Sequence, residues 1–198
     1  MKKFYIITLL SLITLSAVNG QSNASFTYSM GFATGDLGSF IDKASFRGFG
    51  VDFRKMVDRQ VGIGFGIAWN VFYQDLNYDS YIIDNQTISG KQYRYSNNIP
   101  MMVNGAYFLK PGETMNPYVG LGIGTMYTRR NTDMNLYTQK QEAWNFLLQP
   151  EIGIQRSVNP STSLTISAKY LYGFQAGSQL DSPQSYFTLN VGFSFIEL

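Results

Sequence analysis

Hydrophobic and polar residues alternate with a period of two along most of this chain. In the clearest run Val61, Ile63, Phe65, Ile67, Trp69, Val71 and Tyr73 fall on one face, and Gly62, Gly64, Gly66, Ala68 and Asn70 on the other. Such a period, with β-branched and aromatic residues on one side, predicts a β-strand. A strand of a soluble sheet would show Lys, Glu or Thr to water on its second face. This one shows almost nothing but glycine, so the apolar face meets something other than bulk water and the glycine face meets something crowded.

The pattern recurs. Phe26 to Phe32, Phe49 to Phe53, Tyr93 to Leu109, Tyr118 to Tyr127, Trp144 to Gln155, Leu164 to Tyr172 and Phe187 to Phe195 alternate in the same way, and Val119, Leu121 and Ile123 again stand against Gly120, Gly122 and Gly124. Eight strands are predicted, joined alternately by short turns and by longer segments over 36–45, 74–92, 129–143 and 174–184. The stretch 74–91 reads as irregular, being rich in Asp, Asn, Tyr and Ser. Pro100 and Pro150 fall inside strands, where a bulge is expected because proline cannot donate to the ladder.

The amino terminus changes the picture. Lys2 and Lys3, the apolar run from Phe4 to Val18 and the small residues Val18 and Gly20 have the parts of a cleaved secretory signal peptide over residues 1–20, leaving residues 21–198 as one barrel domain. Its removal leaves 13 basic against 13 acidic side chains. Zero net charge without a basic patch argues against a nucleic-acid partner. With no cysteine there is no disulfide framework, so stability rests on hydrogen bonding and burial. No later stretch is apolar over eighteen residues, which excludes helical spans.

Eight alternating strands fit two closed architectures: a soluble lipocalin-like lipid-binding barrel, apolar inside, or a membrane barrel, apolar outside. The polar face carries mainly Gly, Ser, Thr and Asn with few charges, which suits a narrow interior better than a water-facing surface. The apolar face avoids Lys and Arg at its strand centres, where either would cost about 2–4 kcal/mol at a bilayer midplane. Trp69, Tyr73, Tyr95, Tyr107, Tyr127, Tyr170 and Tyr172 gather near strand ends, as aromatic girdles do. The fold class expected is therefore all-β, an eight-stranded antiparallel up-and-down transmembrane β-barrel with short periplasmic turns and longer extracellular loops.

With its leader, its glycine-alternating strands, Ile99-Pro100-Met101, Tyr118 to Gly124 and the closing Tyr186-to-Phe195 stretch, the chain resembles the small OmpA/OmpX-type outer-membrane β-barrel proteins, especially those of Bacteroidetes-type bacteria. The resemblance implies the outer membrane of a Gram-negative cell, outer-membrane lipid as surroundings and the barrel-assembly machinery as a partner during insertion. It also makes Gly192, Phe193 and Phe195 the C-terminal assembly signal, although the chain continues Ile-Glu-Leu beyond the last aromatic.

Candidate chemistry is sparse. Without histidine or cysteine the usual general bases, thiolates and zinc ligands are missing, so no enzyme, metal or cofactor is expected; a lipid-modifying barrel enzyme would need a bare carboxylate pair. Asp52, Arg54, Glu151 and Lys169 lie on the polar face. Glu151 and Lys169 sit nine residues either side of Pro160, and a hairpin centred there sets them opposite each other. A gate or ion pathway is one reading; an ion-pair network with Gln149, Asn104 and Asn190 filling a closed lumen is the simpler one, because buried charges need partners. Arg94 is expected to join nearer the outer end. Tyr78, Tyr81 and Tyr137 are candidates for an interaction surface or for loop packing. A structural, adhesion or interaction role follows, free-standing or as an accessory subunit of a larger outer-membrane complex with a protein partner.

A membrane barrel should migrate faster on detergent gels before boiling than after; a protein that stays soluble without detergent would exclude it.

Overall fold

The computed structural model describes residues 21–83, 86–134, 137–175, 180 and 182–197; the leader lies outside them. Strands β1 (Ser22–Thr34), β2 (Ser45–Met56), β3 (Val61–Ile83), β4 (Gln86–Phe108), β5 (Met115–Met134), β6 (Tyr137–Asn159), β7 (Thr162–Gly173) and β8 (Gln184–Glu197) form a closed antiparallel barrel. β1 pairs with β8 over the whole length of β1, from Ser22↔Glu197 to Thr34↔Ser185. The apolar face points outward: Phe65, Val103 and Ile152 are 60%, 64% and 62% exposed. A soluble lipid-binding barrel would turn these residues inward, so that alternative is set aside.

The strands are unequal. β3, β4, β5 and β6 run to 20–23 residues, whereas β1, β2, β7 and β8 have 12–14. A tilted membrane strand needs about 9–11, so the four long ones continue roughly 30–45 Å beyond the rim at about 3.3 Å per residue. Segments 74–92 and 129–143 are thus largely paired strand, not irregular loop: Asp75 opposes Tyr93, Asp133 opposes Tyr93 on the other side, and Arg129 opposes Glu142. Above the rim both faces of a sheet meet water. The hydrogen-bond ladder continues there while the apolar–polar alternation fades, and a reading by periodicity loses the strand.

The segment after β1 also departs from expectation. Residues Gly35–Phe40 form a short helix, α1, which packs inward and not as an outward-facing loop. Leu37 and the following Ile41 are fully buried against Phe72, Met126, Leu147, Leu171 and Tyr186. Six residues do not hold a helix alone; its apolar side seals the barrel mouth.

No bulge forms at either proline. Ile67↔Met101 and Asn70↔Asn98 keep one register across Pro100, and Leu148↔Tyr172 and Glu151↔Lys169 keep one across Pro150. The ladder omits two pairs at each site and resumes, so the missing N–H is absorbed as a gap. Register shifts lie elsewhere, between Ser29 and Gly31, Leu76 and Asp79, and Ser157 and Asn159.

At Gly64 a Cβ would collide with the carbonyl oxygen of Phe53 on β2, and a backbone atom cannot swing aside. Gly64→Ala should destabilise the barrel by about 1–3 kcal/mol through overpacking, read as a lower urea midpoint. Gly105→Ala, whose Cβ would meet nothing closer than 3.9 Å, should leave the midpoint nearly unchanged.

Candidate functional site

Two places concentrate chemistry: the middle of the lumen and the sheet raised above the rim. In the lumen the antiparallel registers bring inward-facing positions of β2, β4, β5, β6 and β7 to one level. Arg54 opposes Gly64, Gly64 opposes Asn104, Asn104 opposes Gly122 and Gly122 opposes Gln149, while Glu151 opposes Lys169. Gly64 lets the β2 backbone approach closely, and Gly66 leaves the space that the Asp52 and Asn104 side chains fill. A Cβ on Gly66 would strike the Asp52 carboxylate.

The four charged residues form one network. Lys169 Nζ lies 2.6 Å from Asp52 Oδ2, and Arg54 Nη2 lies 2.6 Å from Glu151 Oε2. The diagonal pairs Lys169–Glu151 and Arg54–Asp52 are each 3.9 Å apart. Asn104 stitches the halves together, donating to Asp52 Oδ1 at 2.9 Å and accepting from Arg54 Nε at 3.0 Å. Tyr118 donates to Glu151 Oε1 at 2.6 Å and places its ring 5.4 Å from the Arg54 guanidinium. Two positive and two negative charges cancel within one shell of buried side chains, which is what a lumen of low dielectric demands. The void beside them, lined by Asp52, Asn70, Met102, Gln149, Lys169 and Asn190, measures about 10 Å³, room for one water at most.

The rest of the lumen is layered around this network. On the periplasmic side Ser194 Oγ meets Ser25 Oγ at 2.7 Å and Thr165 Oγ1 at 2.5 Å. Ser29 donates to Asn190 Oδ1 at 2.6 Å, whereas Gln149 Nε2 has no partner among the described residues. Toward the mouth come the apolar residues under α1. There Arg94 donates to the Phe40 carbonyl at 3.0 Å, and Arg94 and Arg130 lie 5.1 and 4.8 Å from the Phe40 ring centroid. Arg94 therefore anchors the plug and stands apart from the four-charge network.

Tyr118 and the apolar mouth residues escaped the sequence reading. Tyr118 shares the inward parity of Gly120 and Gly122, and Met126, Leu147 and Leu171 share that of polar neighbours; apolar side chains on the polar face were the available sign.

Above the rim, β3–β6 form a four-stranded sheet narrowing to the β3–β4 hairpin. Pairing of β3 with β2 stops at Gly48↔Asn70, and that of β6 with β7 at Leu147↔Gly173; beyond single bonds to the Val71 and Phe146 carbonyls, the sheet has two edges without a neighbouring strand. Asp75 lies between Lys43 at 2.8 Å and Lys91 at 3.7 Å; Glu142 lies between Lys140 at 2.6 Å and Arg129 at 3.8 Å. The hydrogen bond from Lys43 holds the Asp75 carboxyl below the ordinary carboxylate range, and that from Lys140 does the same for Glu142. Tyr78 is 75% exposed and Tyr137 37%; the side chain of Tyr81 lies outside the described residues. Gly192, Phe193 and Phe195 lie in β8 opposite Thr27, Phe26 and Ala24 of β1, on the strand that closes the ring.

Among solved structures, a major outer membrane protein from Thermus thermophilus superposes with a TM-score of 0.60 at 13% identity, over 90% of this chain and 100% of that one. Ail, the attachment invasion locus protein of Yersinia pestis, in complex with the heparin analogue sucrose octasulfate, gives 0.52 at 17%, over 89% and 99%. The outer membrane protease OmpT from Escherichia coli gives 0.52 at 7%, over 92% and 98%. Identities this low establish a shared fold alone. No curated protein sequence matches significantly. Residues 5–195 match the sequence model of the family described as "Outer membrane protein beta-barrel domain".

Glu151→Ala would leave Arg54 and Lys169 buried with too few counter-charges. It should cost about 3–5 kcal/mol of barrel stability, the range for breaking a buried pair, seen as a lower melting temperature in detergent. Single-channel current of the parent protein in a planar bilayer should stay at baseline; steady conductance would show the lumen to be open.

Proposed function

Because this chain belongs to the outer membrane β-barrel family, we propose that it is a non-enzymatic envelope protein whose working part is the raised sheet of β3–β6, held outside the cell to contact another macromolecule. The observation that carries this reading is the ladder that runs on beyond the rim from Gln74↔Arg94 and Gln92↔Met134 to Met134↔Tyr137, resuming after a register shift between Leu76 and Asp79. Ordering that many residues costs on the order of 1–2 kcal/mol each in backbone entropy, and a barrel needing only to close its strands could do so with short loops. Free edges offer main-chain donors and acceptors to an incoming strand, and the charges of Asp75, Lys91, Lys140 and Glu142 discourage self-stacking.

The interior supports the same division of labour. It holds mutually neutralised charges and no histidine, so the lumen serves stability and the sheet serves contact. The Yersinia neighbour is an attachment protein, which agrees with a contact-making role without specifying a partner here.

Replacing residues 77–90 with a two-residue turn removes the hairpin tip and spares the membrane ladder. The variant should keep its heat-modifiable migration. It should lose the partner that co-purifies stoichiometrically with the parent in mild detergent, or the cell attachment that the parent confers. A parent that purifies alone and confers no attachment, or a variant that retains either property, would refute the role assigned to the sheet.

A further inference from the structure

The outward face of the rim between β2 and β3 carries a cavity of about 230 Å³ lined by Lys43, Ala44, Ser45, Phe46, Arg47, Val71 and Tyr73. It exists because β2 parts from β3 early, while staying paired with β1 as far as Gly31↔Ser45. The β1–β2 register shifts at Ser29/Gly31, and the β2–β3 ladder starts only at Gly48↔Asn70. Beyond that point residues 43–47 stand off from β3, tethered through Ser45, whose hydroxyl donates to the Val71 carbonyl and accepts from the Arg47 N–H at 3.1 Å.

The opening has two chemically distinct sides. Phe46, 61% exposed, with Ala44 and Val71, gives it an apolar flank. On the other side the Arg47 guanidinium lies over Tyr73, 5.7 Å from the ring centroid, and Tyr73 stacks on Tyr95 at 4.9 Å. Among the described residues no carboxylate pairs with Arg47. Lys43 and Lys91 share the single carboxylate of Asp75, while Asp42 accepts from Gln74 at 2.6 Å. The local balance at the cavity is positive. Its height is that of the aromatic girdle, where lipid headgroups meet water.

We propose that this cavity binds the phosphate-bearing headgroup of an outer-leaflet lipid, with the phosphate on Arg47 and Lys43 and the start of an acyl chain along Phe46 and Val71. A guanidinium offers paired donors to phosphate oxygens and is the side chain suited to that geometry. Its stacking on Tyr73 fixes its direction, so little freedom is lost on binding. A free phosphate would use only the cationic side and leave the apolar flank bare, which is why a lipid is the occupant.

The full chain, folded in uncharged detergent micelles, is titrated with short-chain phosphatidic acid, with the matching phosphatidylcholine and with inorganic phosphate. Bound lipid is read by native mass spectrometry. Phosphatidic acid should be retained over phosphatidylcholine. Arg47→Gln should weaken it about fivefold, one basic residue's share of attraction to an anionic headgroup. Phe46→Ser should weaken it too while leaving the charges in place, and Lys110→Gln on a periplasmic turn should change nothing. Heat-modifiable migration, retained by each variant, certifies the barrel independently of lipid binding. Equal retention of the two lipids, displacement by equimolar inorganic phosphate, or undiminished binding in Arg47→Gln would overturn the assignment.

Discussion

A bilayer interior offers no water to an unpaired amide, so a sheet that enters it must close. Everything in this protein follows from the seam where β1 meets β8. Closing eight strands fixes a circumference with just enough interior for side chains, and that narrowness selects glycine at Gly66, where the Asp52 and Asn104 side chains cross, and at Gly64, where the β2 backbone itself comes close. The same crowding keeps charges out unless they neutralise one another. Asp52, Arg54, Glu151 and Lys169 do so with two close pairs and two diagonal ones.

What periodicity revealed is what the membrane imposed. Between lipid and lumen each residue has one neighbour of each kind, so Val61 to Tyr73 could be assigned side by side from the sequence, and symmetry about Pro160 was enough to set Glu151 against Lys169. The pattern ends where the solvent contrast ends. Residues 74–83 and 86–92 continue the ladder across one register shift, but with water on both faces they keep no alternation. Helix α1 was hidden for a different reason. Leu37, Phe40 and Ile41 are a few apolar residues in a short polar segment, and their meaning depends on Phe72, Leu147 and Tyr186, which reach the same place from other strands. The prolines misled because a closed ladder tolerates a two-pair gap more readily than a change of register, which would turn every side chain beyond it to the wrong face.

Buried and exposed charges are separated in space. Buried polar groups in the lumen answer to one another, and their replacement would be felt as loss of the barrel. Paired charges on the raised sheet are exposed and individually weak, free to be exchanged for contacts with something outside. The rim joins the two regimes: β2 departs from the ladder there, and Arg47 and Tyr73 meet lipid and water together.

The lumen network also has a mechanical meaning. Arg54 on β2 and Glu151 on β6 stand four strands apart in a ring of eight, so their ion pair is a strut across the diameter, and the Lys169–Asp52 bond is a second strut beside it. A hollow tube under lateral pressure fails by flattening, and two neighbouring ties with a bridging amide oppose that deformation directly. Beside Pro100 and Pro150 the same tube lacks two ladder pairs on one side, while the pairing on the other side continues.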